Sequence, residues 1–152
     1  MKPCLKIALI PAYNPEPCLI NLVQKLKGKG FWILVVNDGS SEKHKGIFQE
    51  IDDAGSVLIL THTKNKGKGC ALKTDLTYIQ KYISENYTVV TVDADGQHRS
   101  KDVEMVCKMA QKHPGCLVAG PQENTKGNSF KKQAGKSDYP YGLYVYHRYP
   151  YL

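Results

Sequence analysis

Long apolar runs are missing from this 152-residue chain, which limits where it can be located. No stretch comes near the roughly 20 apolar residues that span a bilayer. The apolar run within Met1–Ile10 is too short for a signal peptide, and no small-residue cleavage site follows it. We therefore expect a protein that is made and kept in the cytoplasm. At 41% apolar and 23% charged residues, the composition is that of an ordinary globular domain.

Cysteine is sparse, and its spacing excludes two kinds of site. The five residues are odd in number and form no CxxC pair: Cys4, Cys18, Cys70, Cys107 and Cys116. Neither a disulfide framework nor a zinc site is expected from that pattern. Most of these side chains should instead pack as small buried hydrophobic groups.

Several catalytic and cofactor motifs are also missing. The chain has no GxSxG elbow and no Cys/His signature of nucleophilic catalysis. The glycines and lysines of 65–69 lack the GxxxxGKS/T spacing of a P-loop, and no GxGxxG fingerprint follows the first apolar run. A nicotinamide-dependent dehydrogenase is therefore excluded.

What the chain does have is an alternation of two hydrophobic patterns. Nearly continuous apolar runs, typical of strands buried on both faces, occur at Leu5–Ile10, Phe31–Val36, Val57–Leu60, Tyr87–Val92 and Leu117–Ala119. Apolar stripes with helical spacing occur at 19–26, 72–83 and 103–110, with Ser100 as an N-cap, and a weaker helix candidate spans Glu42–Asp53. The alternation predicts an α/β fold in which a mostly parallel sheet has helices on both faces.

Polar loops punctuated by glycine follow the first four predicted strands, at 11–16, 37–41, 65–69 and 93–98. In a parallel sheet all four lie at one edge, where ligands bind. Asp93 and Asp95 repel each other unless a cation lies between them, so they are candidate ligands of Mg²⁺ or Mn²⁺. A plain Asp-Gly turn is the alternative.

The other loops leave alternatives open. The segment 37–39 suits an ordinary turn as well as a site in which Asp38 hydrogen-bonds a ribose. Lys66 and Lys68 suit a surface loop as well as a phosphate site. His98 is either structural or a contact of phosphate or metal. The remaining histidines have no partners that suggest a site: His44, His62, His113 and His147.

Four motifs together carry a specific resemblance. IPAYNP, VVNDGSS, NKGKGCAL and TVDADGQH, in this order, resemble the inverting family-two glycosyltransferases of GT-A fold. Within that family the chain looks most similar to the subgroup of dolichyl-phosphate mannose synthases and bacterial undecaprenyl-phosphate sugar transferases. The resemblance covers about residues 5–120 and implies a Rossmann-like, mostly parallel GT-A sheet.

The resemblance also implies roles for individual residues. Those implied to bind the donor nucleotide are Pro11, Ala12, Tyr13, Glu16, Asp38, Lys68, Asp93 and Gln97. Asp93 and Asp95 match the DxD pair that holds the metal and the diphosphate. The usual PAYNE places its acid one position earlier than Glu16, because Pro15 intervenes here. No residue matches a catalytic base.

The function implied by the resemblance is transfer of a sugar from a UDP- or GDP-sugar, by one in-line displacement with inversion at the anomeric carbon. Mg²⁺ or Mn²⁺ would stabilise the leaving diphosphate. A polyprenyl phosphate at the inner face of the membrane is an acceptor that is already an anion, so it needs little help from a base. The net charge of +7 suits phosphate-bearing ligands or an anionic membrane surface.

After Gly120 the sequence divides into a donor-binding core, 1–120, and a basic, tyrosine-rich tail, 121–152. Gln122 stands where the family has arginine, and Asp138–Leu152 contains six of the ten tyrosines without helical or strand periodicity. A flexible aromatic tail is one interpretation. A basic module that stacks on nucleic acid bases is another, although we expect no nucleic acid partner.

A shifted reading frame is the third interpretation of the tail. Tyrosine codons read one base later give Ile, Met or Thr, and residues 137–151 then become an apolar helix that resembles the family's next helix. We therefore expect the frame to slip near Lys136 and the GT-A fold to be incomplete at its C-terminus. The chain would then be an inactive truncated fragment that at most binds nucleotide.

Overall fold

The computed structural model describes residues 4–113 and, beyond them, the backbone of three short strands. The strands are β1 Leu5–Ala12, β2 Trp32–Asn37, β3 Val57–Thr61, β4 Tyr87–Thr91, β5 Leu117–Ala119, β6 Lys131–Gln133 and β7 Tyr144–Arg148. The helices are α1 Cys18–Gly28, α2 Lys45–Asp53, α3 Lys68–Tyr82 and α4 Ser100–Lys112, and a 3-10 turn at Glu42–His44 precedes α2. The five predicted strands are therefore present, and the weaker helix candidate begins as a 3-10 turn.

The described strands form one sheet in the order β3-β2-β1-β4-β7-β5-β6. β1 pairs in parallel with β2 and with β4, and β2 pairs in parallel with β3. β7 pairs antiparallel with β4 and β5, and β6 pairs antiparallel with β5. The predicted mostly parallel sheet is confirmed in its first four strands, whereas β5 runs antiparallel to its neighbours.

Part of the tail forms a strand although its sequence has no strand periodicity. Tyr144–Arg148 form β7, whose backbone pairs with Tyr87–Val90 of β4. Alternating hydrophobicity was the wrong criterion here, because aromatic and β-branched residues favour strands whether or not they alternate with polar ones. The slip of the reading frame near Lys136 stays a prediction.

Helices cover both faces of the parallel strands, as predicted. Ala8 and Ile10 of β1 belong to the apolar core shared with α1, α2 and α4, and Ile7 and Leu9 belong to the core shared with α3. Successive side chains of a strand point to opposite faces, so β1 is buried on both. The buried Ile and Leu side chains of β1 each contribute about 1.5–3 kcal/mol to folding. Among the helices of the described residues, none is long and apolar enough to cross a membrane.

The inner face of α3 contains one residue that the hydrophobic pattern did not reveal. Leu72, Leu76 and Ile79 of the predicted stripe pack against the sheet, and Asp75, four residues before Ile79, is 0% exposed. Within the described residues neither carboxyl oxygen of Asp75 has a hydrogen-bond partner. Burial raises the pKa of Asp75 to about 8, so its neutral form is favoured below that pH.

Two smaller expectations were wrong. Ser100 is the first residue of α4 rather than its N-cap, because the extended Arg99 precedes it and no side chain caps this end. Most cysteines were expected to be buried, but of the four that the structure describes only Cys107 is. The described cysteines that are partly or fully exposed are Cys4, Cys18 and Cys70.

The order of the strands creates a crevice at one edge of the sheet. From β1 the chain builds outward to β2 and β3 on one side, and to β4 on the other. Ligands of open α/β sheets bind beyond the C-terminal ends of the strands, at the point where the strand order reverses. That point lies between the ends of β1 and β4, where the loops 11–16 and 93–98 begin.

Candidate functional site

A cavity of about 310 Å³, here called the switch-point cavity, lies between the ends of β1 and β4. Its described lining residues come from the loops after these strands and from the start of α3: Pro11, Tyr13, Asn14, Pro15, Glu16, Lys68, Asp93, Ala94 and Asp95. Six of the residues predicted to bind the donor or the metal are among them. Tyr13 is 54% exposed, which leaves its ring accessible to a ligand.

Three of the predicted donor-binding residues do not line this cavity. Ala12 is buried, and its carbonyl accepts a hydrogen bond from the Asp38 N–H at 2.8 Å. Gln97 is exposed, and its N–H donates to Asp95 Oδ1 at 3.0 Å. Asp38 is 3% exposed. In this structure Ala12 and Asp38 lie beneath the loops that line the cavity. Contact of Ala12, Asp38 and Gln97 with a nucleotide stays a prediction.

Asp93 lies between two basic side chains at the end of β4. Lys68 Nζ, from the first turn of α3, forms an ion pair with Asp93 Oδ1, and His98 Nε2 lies 3.4 Å from Asp93 Oδ2. Among the described residues this buried His98 nitrogen has no hydrogen-bond partner of good geometry. His98 first, and Lys68 with it, lower the pKa of Asp93 to about 2 against the opposing effect of burial.

Asp93 and Asp95 were predicted to hold a metal ion together. Among the described side chains, no group of three or more His, Cys, Asp or Glu residues is arranged to hold a metal ion. Asp93 and Asp95 both line the switch-point cavity. Mg²⁺ is commonly held by one or two carboxylates together with phosphate oxygens and water. The residues present therefore fit a cation whose remaining ligands come from a bound diphosphate.

Asp38, which follows β2, holds the loop that precedes α3. Its Oδ1 accepts hydrogen bonds from His62 Nδ1 at 2.6 Å and from the Lys66 N–H at 2.9 Å, and its Oδ2 accepts one from the Gly67 N–H at 2.8 Å. Burial alone would raise the pKa of Asp38, but these hydrogen bonds outweigh burial and lower it. A carboxylate has about four acceptor positions, most of which are used here within the protein.

His62 is the residue of this region that the sequence analysis missed. It was expected to have no partners that suggest a site, yet its ring, 9% exposed, lies between Asp38 and Thr74 of α3. His62 Nε2 lies 2.8 Å from Thr74 Oγ1, and the Thr74 hydroxyl donates to the Cys70 carbonyl at 3.0 Å. The available signal was position, because His62 directly follows β3 at the edge where the polar loops gather.

The loops after β1 and β2 are tied together by polar side chains. The Asn14 N–H donates to Ser40 Oγ at 2.9 Å, and the Ser41 N–H donates to Asn14 Oδ1 at 2.9 Å. Asn14 has a φ of 47°, a conformation that Asn adopts more readily than most residues. Together with the contacts of Asp38 and Asp93, these hydrogen bonds connect all four polar loops into one rim.

A second, larger cavity of about 550 Å³ lies beside the ends of β2 and β3. Its described lining includes Ser40, Lys45, Gln49 and Thr63, but none of the predicted donor or metal ligands. It is also away from the point where the strand order reverses. We place the candidate site at the smaller switch-point cavity, because the carboxylates, the lysine and the strand order converge there.

Comparison with known families gives a match over nearly the whole chain. The family described as glycosyl transferase family 2 matches residues 7–150. This match extends past the range of about 5–120 over which the four motifs carry the resemblance, and it includes most of the tail.

Curated relatives match about two thirds of the chain. The uncharacterized protein MJ1222 of Methanocaldococcus jannaschii is 38% identical over 101 residues, which cover 66% of this chain and 39% of the relative. The UDP-N-acetylglucosamine–dolichyl-phosphate N-acetylglucosaminyltransferase of Methanococcus voltae is 31% identical over 112 residues, which cover 64% of this chain and 44% of the relative. The chain thus spans less than half the length of these curated relatives.

Solved structures share the fold at low sequence identity. The mannosyltransferase PcManGT from Pyrobaculum calidifontis, in complex with GDP-Man and Mn²⁺, aligns with a TM-score of 0.61 at 17% identity, covering 76% of this chain and 35% of that one. A 4-diphosphocytidyl-2C-methyl-D-erythritol synthase aligns with a TM-score of 0.65 at 13% identity, covering 97% of this chain and 76% of that one. Likenesses at such identity bear on the fold alone. Taken with the family match over residues 7–150, they show that this chain has a GT-A fold and belongs to glycosyl transferase family 2.

Proposed function

We propose that this chain is the donor-binding part of a glycosyltransferase that moves a sugar from a nucleoside diphosphate to an acceptor. The observation that carries the proposal is the switch-point cavity, which brings Tyr13, Lys68, Asp93 and Asp95 together at the edge where α/β folds bind nucleotides. The match to glycosyl transferase family 2 supports it independently of the geometry.

The chemistry of the lining fits the parts of a nucleotide sugar. The exposed ring of Tyr13 offers a flat apolar surface for a base, with Pro11 and Glu16 beside it. Lys68 supplies a point charge of the kind that binds phosphate. In this proposal Asp38 holds the loop that precedes Lys68. Gln97 donates a backbone hydrogen bond to Asp95 and so helps to orient that carboxylate.

In this proposal Asp93 and Asp95 would hold Mg²⁺ or Mn²⁺ beside the diphosphate of the donor. Such an ion neutralises the charge that develops on the leaving nucleoside diphosphate. Support comes from the mannosyltransferase of the same fold, whose structure is described with GDP-Man and Mn²⁺. The protein's own part is to keep Asp93 ionised, which the neighbouring His98 and Lys68 do.

The acceptor that we propose is a polyprenyl phosphate at the inner face of the membrane. The relative from Methanococcus voltae is named for a dolichyl-phosphate acceptor, and the net charge of +7 suits an anionic surface. A phosphate acceptor is already ionised, so it attacks the anomeric carbon without a general base. An in-line attack of this kind inverts the configuration at that carbon and displaces the nucleoside diphosphate.

A second candidate is a fragment that binds nucleotide without transferring sugar. The chain covers 39% and 44% of the length of the two curated relatives, and this partial coverage favours the second candidate. Donor binding without turnover by the 152-residue chain would support this candidate. Sequencing the gene from the codon of Phe130 onward would show whether the frame slips.

The nucleic acid module rests on the tyrosine-rich tail, whose side chains lie outside the described residues.

Isothermal calorimetry tests the main proposal. UDP and GDP are titrated into the full chain with and without Mn²⁺, and one of them should bind more tightly when the metal is present. Asp95→Ala should weaken that binding about tenfold or more. Asp53→Ala, which removes an exposed carboxylate on α2, is the matched control and should bind like the wild type. Binding that ignores both the metal and Asp95→Ala would overturn the DxD assignment.

A further inference from the structure

A buried series of hydrogen bonds connects three elements behind the switch-point cavity. It runs from Asp38, after β2, through His62, after β3, to Thr74 in the second turn of α3. None of these three residues lines the cavity itself. His62 lines the larger cavity beside β2 and β3 instead, so it can influence a ligand in the switch-point cavity through the residues that it positions.

The pattern of donors and acceptors defines the role of the His62 ring. Asp38 is ionised, so its Oδ1 accepts a hydrogen bond from His62 Nδ1 at 2.6 Å. The other ring nitrogen, Nε2, is hydrogen-bonded to the Thr74 hydroxyl at 2.8 Å. His62 therefore bridges Asp38 and α3 through its two ring nitrogens.

The two fixed points lie on either side of Lys68. Asp38 holds the Gly67 N–H, which is one residue before Lys68, and His62 holds Thr74, about 1.7 helical turns after it. The backbone before the helix also packs tightly, since a Cβ built on Gly39 would lie 2.3 Å from the Lys64 carbonyl carbon. The start of α3 is thus held where Lys68 reaches Asp93.

We propose that His62 is a positioning residue that fixes Lys68 for the phosphates of the donor, an inference that rests on the proposed function. His62 does not touch the ligand. It holds Asp38 and α3 in register, Asp38 holds the 65–67 loop, and the first turn of α3 then presents Lys68 to the cavity. Loss of this bridge should loosen this loop before it affects the rest of the fold.

Hydrogen exchange without nucleotide tests the structural half of this proposal. In His62→Gln, which removes the ring that bridges Asp38 and Thr74, the amides of Lys66 and Gly67 should exchange at least about tenfold faster than in the wild type. His113→Gln, at the exposed end of α4, is the control and should leave both amides unchanged. Equal protection of these amides in His62→Gln and the wild type would overturn the proposal. Should His62→Gln fail to fold, Thr74→Val removes the α3 side of the bridge alone and gives the same readout.

A double-mutant cycle tests the functional half. His62→Gln should weaken nucleotide binding about tenfold in the wild type and have almost no effect in a Lys68→Ala background, because it acts through Lys68. Fully multiplicative losses would show that His62 acts independently of Lys68 and would overturn the proposal. A wild-type chain that binds no nucleotide would overturn the proposed function, while the exchange experiment would still decide whether His62 holds the loop.

Discussion

Lys68 and Asp93 form an ion pair that joins the first turn of α3 to the end of β4, and both side chains line the switch-point cavity. The pair gives the cavity one positive and one negative group in direct contact. A diphosphate would compete with Asp93 for Lys68, and a divalent cation would compete with Lys68 for Asp93. A bound diphosphate frees Asp93 for the metal, and a bound metal frees Lys68 for the diphosphate. Metal and nucleotide should therefore bind more tightly together than either does alone.

Replacement of Lys68 by alanine should weaken nucleotide binding by about ten- to a hundredfold, because a charge-assisted contact to phosphate is lost. Calorimetry with UDP or GDP in the presence of Mn²⁺ measures the change. Lys73→Ala, which removes an exposed lysine from the same helix, is the matched control. Equal affinities of the Lys68 and Lys73 variants would mean that α3 contributes only general positive charge.

Asp93 should make the fold sensitive to acid. Its pKa in the folded protein is about 2, below the ordinary 3.8, so the ionised carboxylate stabilises the fold above about pH 4. This stabilisation is lost as the pH falls through about 2. Urea unfolding of the wild type should therefore show a steeper loss of stability between about pH 5 and about pH 2 than Asp93→Asn does. Asp53→Asn is the control, and parallel curves for wild type and Asp93→Asn would contradict the assignment.

The sequence predicted the parts of this molecule that depend on repeated patterns. The continuous apolar runs of β1 to β4 and the stripe of α1 follow from burial on both faces of a sheet and on one face of a helix. The polar loops at 11–16 and 93–98 could be placed together because the C-terminal ends of parallel strands share one edge.

Single residues whose role depends on tertiary contacts could not be found this way. His62 has no sequence neighbour that reveals its contacts with Asp38 and Thr74, since those partners lie 24 and 12 residues away. Asp75 is wholly buried, but the apolar stripe of α3 can be recognised from Leu72, Leu76 and Ile79 without it, so the sequence gives no sign of its burial. The strand at Tyr144–Arg148 depends on the edge that β4 offers rather than on its own pattern.

Asp75 should make the protein less stable as the pH rises. Its pKa is about 8 in the folded protein and about 3.8 in the unfolded chain, so the unfolded state loses its proton first. The contribution of Asp75 to the free energy of unfolding is therefore largest below about pH 4. Between about pH 4 and about pH 8 this contribution falls by at most about 1.4 kcal/mol per pH unit. Asp75→Asn should flatten this decline, whereas Asp53→Asn should not. Urea midpoints at about pH 5 and about pH 8 measure it, and an equal decline in Asp75→Asn and the wild type would contradict the assignment.

Gly39 should not tolerate a side chain. Its φ is +72°, and a Cβ there would lie 2.3 Å from the Lys64 carbonyl carbon and 2.4 Å from the Asn65 nitrogen. Both neighbours are backbone atoms of the loop that Asp38 holds, so Gly39→Ala must push this loop away from β2. We expect a loss of about 2 kcal/mol or more in the free energy of unfolding, together with weaker nucleotide binding.

The matched control for this change is Gly46→Ala. Gly46 lies within α2, and a Cβ there would have no neighbour within 4 Å. Alanine favours a helix over glycine by about 0.5–1 kcal/mol, so this variant should be slightly more stable than the wild type. Thermal and urea unfolding of the two variants would compare them directly. A Gly39→Ala variant as stable as Gly46→Ala would show that the 65–67 loop does not pack against the turn after β2. The proposal that Asp38 and His62 position Lys68 would then lose its structural basis.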